Sequence, residues 1–397
     1  MRFAGRMDRL GTESAFEVLA RARRLEAEGR SVIHLEIGEP DFSTPANIIA
    51  AAHSAMLGGA THYTPAAGLP EVREAIAARL SRRGGVPIRP EEVVVVPGSK
   101  NILHFALLAL IEPDDEVILP DPGYPVYRSL TEFVGAKPVP VAIRESAAFR
   151  MDMEEVAGLI TSRTRMVIIN SPQNPTGGVL ADSDLDRLAE LAQAHDLWVV
   201  SDEIYSEICF GELPRPIWSR PGMRERTVVM DGLSKTYAMC GWRLGYGVMP
   251  QELAQRMETL LINTSSCAAA FTQLAAIEAL SSPSSERAVA GMVDEFHRRR
   301  DLLVEGLNQI PGISCHLPLA SFYAFPNVTE TGVSSRDLAE GLLQEVGVAT
   351  LAGETFGQAG EGHIRLAYTV AEEQIGDALD RIASFLSQPG AARPRLG

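Results

Sequence analysis

The sequence predicts an α/β protein: a mostly parallel sheet covered by helices on both faces, followed by a smaller α/β module. Three observations carry this reading. Through the middle of the chain, short apolar runs rich in β-branched residues alternate with helical patterns. The runs are apolar without interruption, as strands buried on both faces are. Polar segments rich in Gly, Pro or Asn follow them, at the strand ends where ligands gather in such sheets.

In chain order, Ser14 to Glu28 has a helical pattern, and Val32 to Ile37 reads as a strand that could join either module. Val93 to Val96 is four valines in a row and reads as a buried strand, with the apolar helix Asn101 to Ile111 behind it. Glu116 to Leu119 and Met166 to Ile169 are strands, Asp182 to His195 is a helix, and Leu197 to Ser201 is a strand. Thr227 to Met230 and Leu244 to Val248 complete the first set. After about residue 250 the pattern turns to long helices, including Ser284 to Gln309. A strand (Phe322 to Asn327), a helix (Ser335 to Val346), a strand around His363 to Tyr368 and a helix from Ala371 follow. The expected division is 48–283 for the large domain, and 1–47 with 284–397 for the small one. The tail Pro389 to Gly397 is expected to fray.

The 397 residues include 36 basic and 51 acidic side chains, a net charge of −15. Nucleic acid and anionic membrane are poor partners for such a surface. The longest apolar run, Phe105 to Ile111, is far short of the ~20 residues that span a bilayer. Residues 1–30 show no signal-peptide core, so the chain is expected in the cytoplasm. Cys209, Cys240, Cys267 and Cys315 are widely spaced and the histidines form no i, i+4 pair, so no metal site is expected. Only three of the basic residues are lysines: Lys100, Lys137 and Lys235. Any chemistry that needs a primary amine has those three candidates, because arginine stays protonated.

Pro97-Gly98-Ser99-Lys100 joins a strand to a helix, where a glycine and the free amides of a helix start favour an anion. An ordinary connection would look the same. Ser171 to Gly178 holds two prolines and two glycines around Asn174, either a rigid mount for that side chain or a plain turn. Asp202 sits at a strand's carboxyl end, where burial would demand a cation; a helix cap is the other reading. Ser234-Lys235 follows another strand, with Arg243 just beyond. Two cations crowded near a serine make sense if Ser234 and Arg243 hold a phosphate while Lys235 does covalent chemistry.

Asn174-Pro175-Thr176-Gly177, Ser201-Asp202-Glu203-Ile204-Tyr205, Ser234-Lys235-Thr236 and Gly241-Trp242-Arg243-Leu244-Gly245-Tyr246 together resemble the signature set of class I/II aminotransferases. These are pyridoxal 5′-phosphate (PLP) enzymes of fold type I. The resemblance runs from Glu36-Ile37-Gly38-Glu39-Pro40-Asp41-Phe42, through Tyr63-Thr64-Pro65-Ala66-Ala67-Gly68, to His363-Ile364-Arg365-Leu366. Its N-terminal wording is closest to the bacterial aspartate/broad-specificity subgroup. It implies a large domain with a mostly parallel seven-stranded sheet plus a smaller α/β domain.

The resemblance also implies roles. Lys235 matches the lysine that forms the Schiff base with PLP and shuttles the Cα proton. Asp202 matches the carboxylate paired with the pyridinium nitrogen. Asn174 and Tyr205 match the donors to the ring's phenolic oxygen. Gly98, Ser99 and Lys100 match the phosphate-cradling turn, and Ser234 and Arg243 match further phosphate ligands. Tyr124 matches the aromatic residue stacked on the ring, and Arg365 the arginine that grips the substrate α-carboxylate, with the Gly38 backbone beside it. Tyr63 matches a residue that reaches the neighbouring subunit's phosphate, so a homodimer with shared sites is implied.

Where many aspartate enzymes carry a tryptophan, this chain has Tyr124 followed by Pro125, more like the alanine, aromatic or broad-specificity relatives. No second cation is assignable to a distal substrate carboxylate. Phe16 reads either as an apolar wall of the substrate pocket or as a core staple for the first helix. The expected reaction moves an amino group from an L-amino acid to a 2-oxo acid, 2-oxoglutarate being the usual acceptor in the family, by a ping-pong cycle. A C–S β-lyase, a decarboxylase or an oxidase on the same scaffold is the alternative. A ligand-sensing regulator of the same fold would carry an N-terminal DNA-binding domain, and only thirty-odd residues precede the first strand here.

Overall fold

The computed structural model describes residues 3–388, so the expected fraying of Pro389 to Gly397 lies outside the described residues. The described residues form twelve strands: β1 (Ile33–His34), β2 (Val93–Val96), β3 (Glu116–Asp121), β4 (Lys137–Ala142), β5 (Thr164–Asn170), β6 (Trp198–Asp202), β7 (Thr227–Gly232), β8 (Gly245–Val248), β9 (Tyr323–Ala324), β10 (Val348–Ala349), β11 (Leu351–Ala352) and β12 (Ile364–Ala367). Seven of them form one sheet in the order β2-β8-β7-β6-β5-β3-β4. Every neighbouring pair is parallel except the two that involve β8.

Alternate residues of the central strands pack on opposite faces of the sheet, which together make the first core, and this is why those strands are apolar throughout. Val93, Val95, Val167, Ile169 and Val199 pack on one face, toward the helices Ala46–Leu57, Pro70–Gly84, Asp182–Ala194 and Ala270–Ser281. Val94, Val96, Met166, Ile168 and Val200 pack on the other, toward Lys100–Leu110, Val126–Phe133 and Gln251–Thr264.

The second core lies under the antiparallel sheet β11-β12-β9 and the helices Pro283–Gln309, Ser335–Val346 and Glu372–Ser387. Phe296, Leu303, Phe322, Leu338, Leu366 and Ile382 fill it. Strand β1 pairs in parallel with β10, which ties the N-terminal segment to this second core. Ile204, Tyr205 and Ile208, just past β6, also pack there, so the two cores meet beside the ends of β5 to β7.

Five strands differ from the sequence reading, among them β10 and β11, two-residue strands that went unread. β1 is two residues long rather than Val32 to Ile37. Beyond His34 the carbonyls serve other elements: that of Leu35 accepts from Ala367, and that of Glu36 from Arg365. β9 is likewise shorter than Phe322 to Asn327, because Pro326 has no N–H to offer a ladder. β4 went unread because Pro138 and Pro140 speak against a strand. It lies at the sheet's edge with β3 as its one neighbour, where missing N–H groups cost no ladder bond. Among the described residues, no helix is long and apolar enough to cross a membrane.

Candidate active site

A cleft of about 560 Å³ opens at the carboxyl ends of β5, β6 and β7, where the two cores meet. Gly38, Ser99, Lys100, Tyr124, Asn174, Asp202, Tyr205, Ser234, Lys235, Arg243 and Arg365 all line it. Segments up to 329 residues apart are brought together here, as in the bond from Arg365 to the Glu36 carbonyl.

Asp202 ends β6 and is almost wholly buried. Its Oδ2 accepts a 2.6 Å hydrogen bond from the Tyr127 hydroxyl, and its Oδ1 accepts from the Ile204 amide at 3.3 Å. No arginine, lysine or histidine among the described residues forms an ion pair with it. Burial pushes its carboxyl up to about 7, against the lowering effects of the Tyr127 and Ile204 bonds and of Lys235. Such a carboxylate is short of one cation.

Lys235 follows β7 and projects across the cleft, its Nζ donating to the Gly38 carbonyl at 2.5 Å. Cys240 Sγ lies 3.7 Å from the same nitrogen. The turn at Gly98 sits at one end of the cleft with φ +83°. A Cβ there would come within 2.2 Å of the Arg243 guanidinium, so only glycine leaves the concavity open. Gly245 serves the same end: a Cβ on it would strike the Ser99 amide nitrogen at 2.3 Å. Ser99 leads into the helix Lys100–Leu110; the Asn101 and Ile102 amides donate back to the Gly98 and Ser99 carbonyls, which leaves the Ser99 and Lys100 amides for a ligand. Amides, a hydroxyl at Ser234 and the Arg243 cation form a donor set suited to a phosphate.

Arg365, on β12, closes the opposite end. One of its terminal nitrogens donates to the Asn174 side-chain oxygen at 3.1 Å and the other to the Glu36 carbonyl at 2.5 Å. Its Nε is buried with no partner in the chain, which leaves donor capacity for a carboxylate. Tyr323 and Phe356 lie against the guanidinium, 4.4 Å and 4.8 Å from its carbon to the ring centroids. Gly38 must be glycine here, because a Cβ would lie 1.8 Å from the Tyr323 hydroxyl. Tyr205 bonds that same hydroxyl at 3.0 Å, and burial raises its own phenol well above the ordinary range.

Two residues are placed differently from the rest. The Lys100 ammonium pairs with Glu13 at the cleft mouth and lies 5.6 Å from the Tyr124 ring, leaving its backbone at the Gly98 turn. Tyr63 is 88% exposed and does not line this chain's cleft. Phe16 is no core staple: it is 61% exposed and lines the cleft with Ala15 and Leu19.

Sequence reasoning missed Tyr127, Tyr323 and Phe356. Tyr127 stands in the first turn of the helix Val126–Phe133, three residues after Tyr124, and that short spacing from a motif residue was a usable signal. The other two carry no local signal.

These residues fit the group the motifs imply. A buried carboxylate lacking a cation suits a pyridinium nitrogen, the glycine-walled end suits a phosphate, and the amine between them suits an aldehyde. The Aminotransferase class I and II family model matches residues 30–382. An aspartate aminotransferase of Pyrococcus abyssi is 39% identical over 90% of this chain and 92% of its own. An arginine–pyruvate transaminase of Pseudomonas aeruginosa is 40% identical over 93% of this chain and 94% of its own. The structure of aspartate aminotransferase from Thermus thermophilus with maleate superposes with a TM-score of 0.93 at 35% identity, covering 97% of this chain and 100% of that one.

Proposed function

Since the chain belongs to the class I and II aminotransferases, and so is a PLP-dependent transaminase, we propose that it carries nitrogen from an L-amino acid to 2-oxoglutarate in two half-reactions at one site. The observation that supports this most is the meeting of Lys235, Asp202 and Arg365 in a single cleft with a glycine-walled anion site at one end.

In this reading Gly98, Ser99, the Lys100 backbone, Ser234 and Arg243 hold the cofactor's phosphate, and Tyr124 covers its ring. Asn174 and Tyr205 would donate to its phenolic oxygen. When bound, PLP supplies an electron sink for the pair released at the substrate Cα. Asp202 keeps a negative charge beside the ring nitrogen, which offsets the cost of its own burial. Lys235 would hold the cofactor through Nζ, and the same nitrogen, when free, would take the Cα proton. Its four-carbon stem already reaches from the end of β7 to Gly38. Arg365 meets the α-carboxylate with its planar fork, and the fork is pre-oriented because two other protein groups and two rings fix it. Every amino and 2-oxo acid presents that carboxylate, so one grip serves both half-reactions.

The working unit in this proposal is a homodimer: Tyr63 reaches the phosphate site of a second copy, and the exposed apolar residues Ile49, Leu57 and Ile262 are candidates for the covered face. Residues 48–283 act as the cofactor-binding domain, with 1–47 and 284–397 as the small domain that carries Arg365. Four cysteines without disulfides fit the reducing cytoplasm.

The test is the absorbance of the purified yellow protein as single amino acids are added without an oxo acid. Bleaching that reverses on adding 2-oxoglutarate is the expected outcome, and it ranks the donors. Release of ammonia or pyruvate without bleaching moves the assignment to a lyase. A protein that takes up no added PLP refutes the reading.

A further inference from the structure

The carboxylate end of the cleft is anchored by a contact that lies outside it. Strands β11 and β12 form a hairpin in which Leu351 faces Arg365 and Ala352 faces Ile364, and residues 353–363 connect them. That connection carries Phe356, the ring 4.8 Å from the Arg365 guanidinium carbon. It docks on the end of β3 in the large sheet. Asp121, the last residue of β3, is 5% exposed, and its carboxylate accepts from the amides of Ala359 at 2.9 Å and Gln358 at 3.2 Å. Arg128 lies 3.7 Å from one of its oxygens. Next to it, the Gly123 amide donates to the Phe356 carbonyl at 2.8 Å.

The fit is close enough to dictate sequence. Gly357 has φ +135°, and a Cβ on it would lie 2.1 Å from Asp121 Oδ1. The same turn reaches Arg365 from its other side: the Pro122 carbonyl accepts from Gln173 Nε2 at 2.8 Å, and Gln173 precedes Asn174, whose side-chain oxygen holds Arg365.

We propose that Asp121 is a positioning residue for the carboxylate grip: by holding the 353–363 connection on the end of β3, it seats Phe356 against Arg365 and sets the affinity for the α-carboxylate. The proposal rests on the reading of Arg365 as that grip. A carboxylate that accepts two amides out of water makes a strong, directional dock. Without it the hairpin connection rides on its own two short strands, and the guanidinium loses the ring that limits its swing. Asn at position 121 keeps the volume and one acceptor but turns an NH2 toward a backbone N–H, so one of the two amides loses its partner.

The experiment is steady-state kinetics on the loaded Asp121→Asn and Gly357→Ala enzymes, with Arg365→Lys as reference. A second readout is equilibrium binding of the 2-methyl analogue of the best donor, which occupies the site without a Cα proton to lose. KM for both the amino acid and the oxo acid should rise about tenfold, the size of one weakened charge-assisted hydrogen bond. Affinity for the 2-methyl analogue should fall in step, while kcat stays within about threefold and PLP affinity is unchanged. The double variant should be no worse than the worse single one, because both changes break one contact. Unchanged KM in both Asp121→Asn and Gly357→Ala, with a raised KM in Arg365→Lys, overturns the proposal alone. A fall in kcat at constant KM overturns it too. Unchanged KM in Arg365→Lys overturns the reading beneath it.

Discussion

Replacing Tyr127 by Phe removes one oxygen from the floor of the cleft and alters nothing else in volume. That oxygen donates to Asp202 at 2.6 Å, between two side chains that are both buried. A hydrogen bond to a charged group contributes about 1.5–3 kcal/mol, and tenfold in affinity corresponds to about 1.4 kcal/mol. The variant should therefore bind PLP about ten- to a hundredfold more weakly at neutral pH, since in the proposed reading it is the ionised form of Asp202 that pairs with the ring nitrogen. The sign of the pH dependence follows from the same bond. Burial already holds Asp202 up at about 7, and the phenol lowers it. Losing the phenol moves the carboxyl further up, so protonation sets in at higher pH. The assay is a fluorescence titration of cofactor-free protein with PLP at several pH values between about 6 and 9. In the parent, affinity weakens as pH falls through about 7; in Tyr127→Phe the weakening begins at higher pH. Equal affinities and superimposable pH profiles would refute the role assigned to this bond.

Other substitutions probe the remaining parts. Lys235→Ala should fold, bind PLP without a covalent link and lose transamination; retained turnover in a mass-verified variant would exclude Lys235 as the essential amine. Arg365→Lys keeps the charge but loses the planar fork, so KM for donor and acceptor should rise about ten- to a hundredfold, read by initial rates. Asp231, buried beside Arg83 and Tyr246, is also pushed up to about 7 by burial, far above the ~3.9 of an unfolded aspartate. Between those values the folded chain holds a proton that the unfolded chain has released. Stability of the cofactor-free protein therefore falls as pH rises from about 4 to 7, by at most about 4 kcal/mol for this group. Melting temperatures of Asp231→Asn should fall less steeply over that range than the parent's, and parallel curves would contradict the assignment.

What the sequence determined by itself is the chemistry at the ends of the strands. Uninterrupted apolar runs such as Val93 to Val96 marked strands buried on both faces, and one of them, Leu197 to Ser201, is followed directly by Asp202, which lines the cleft. Local pattern placed Asn174 in a turn and Asp202 at a strand end, with a plain turn and a helix cap as the other readings, and the resemblance to the aminotransferase signature set then implied their roles. Lys235 was legible because the chain has so few lysines and one of them sits at such an end. β4 was not, since its prolines are tolerated only at a sheet edge, and edge position is a property of the assembled sheet.

Tertiary structure alone decided how those groups are tuned and held. Tyr127 lies 75 residues from the carboxylate it bonds, and Asp121 lies 238 residues from the Ala359 amide it accepts from. The state of Asp202 follows from burial and from the missing cation, neither of which has a sequence period. Lys100 shows the limit from the other side: its motif position was clear, yet its ammonium went to Glu13 at the mouth, on another element. A local pattern specifies where a backbone turns and which side chain it presents. Which distant group meets that side chain, and in what dielectric, exists only once the two cores have closed around the cleft.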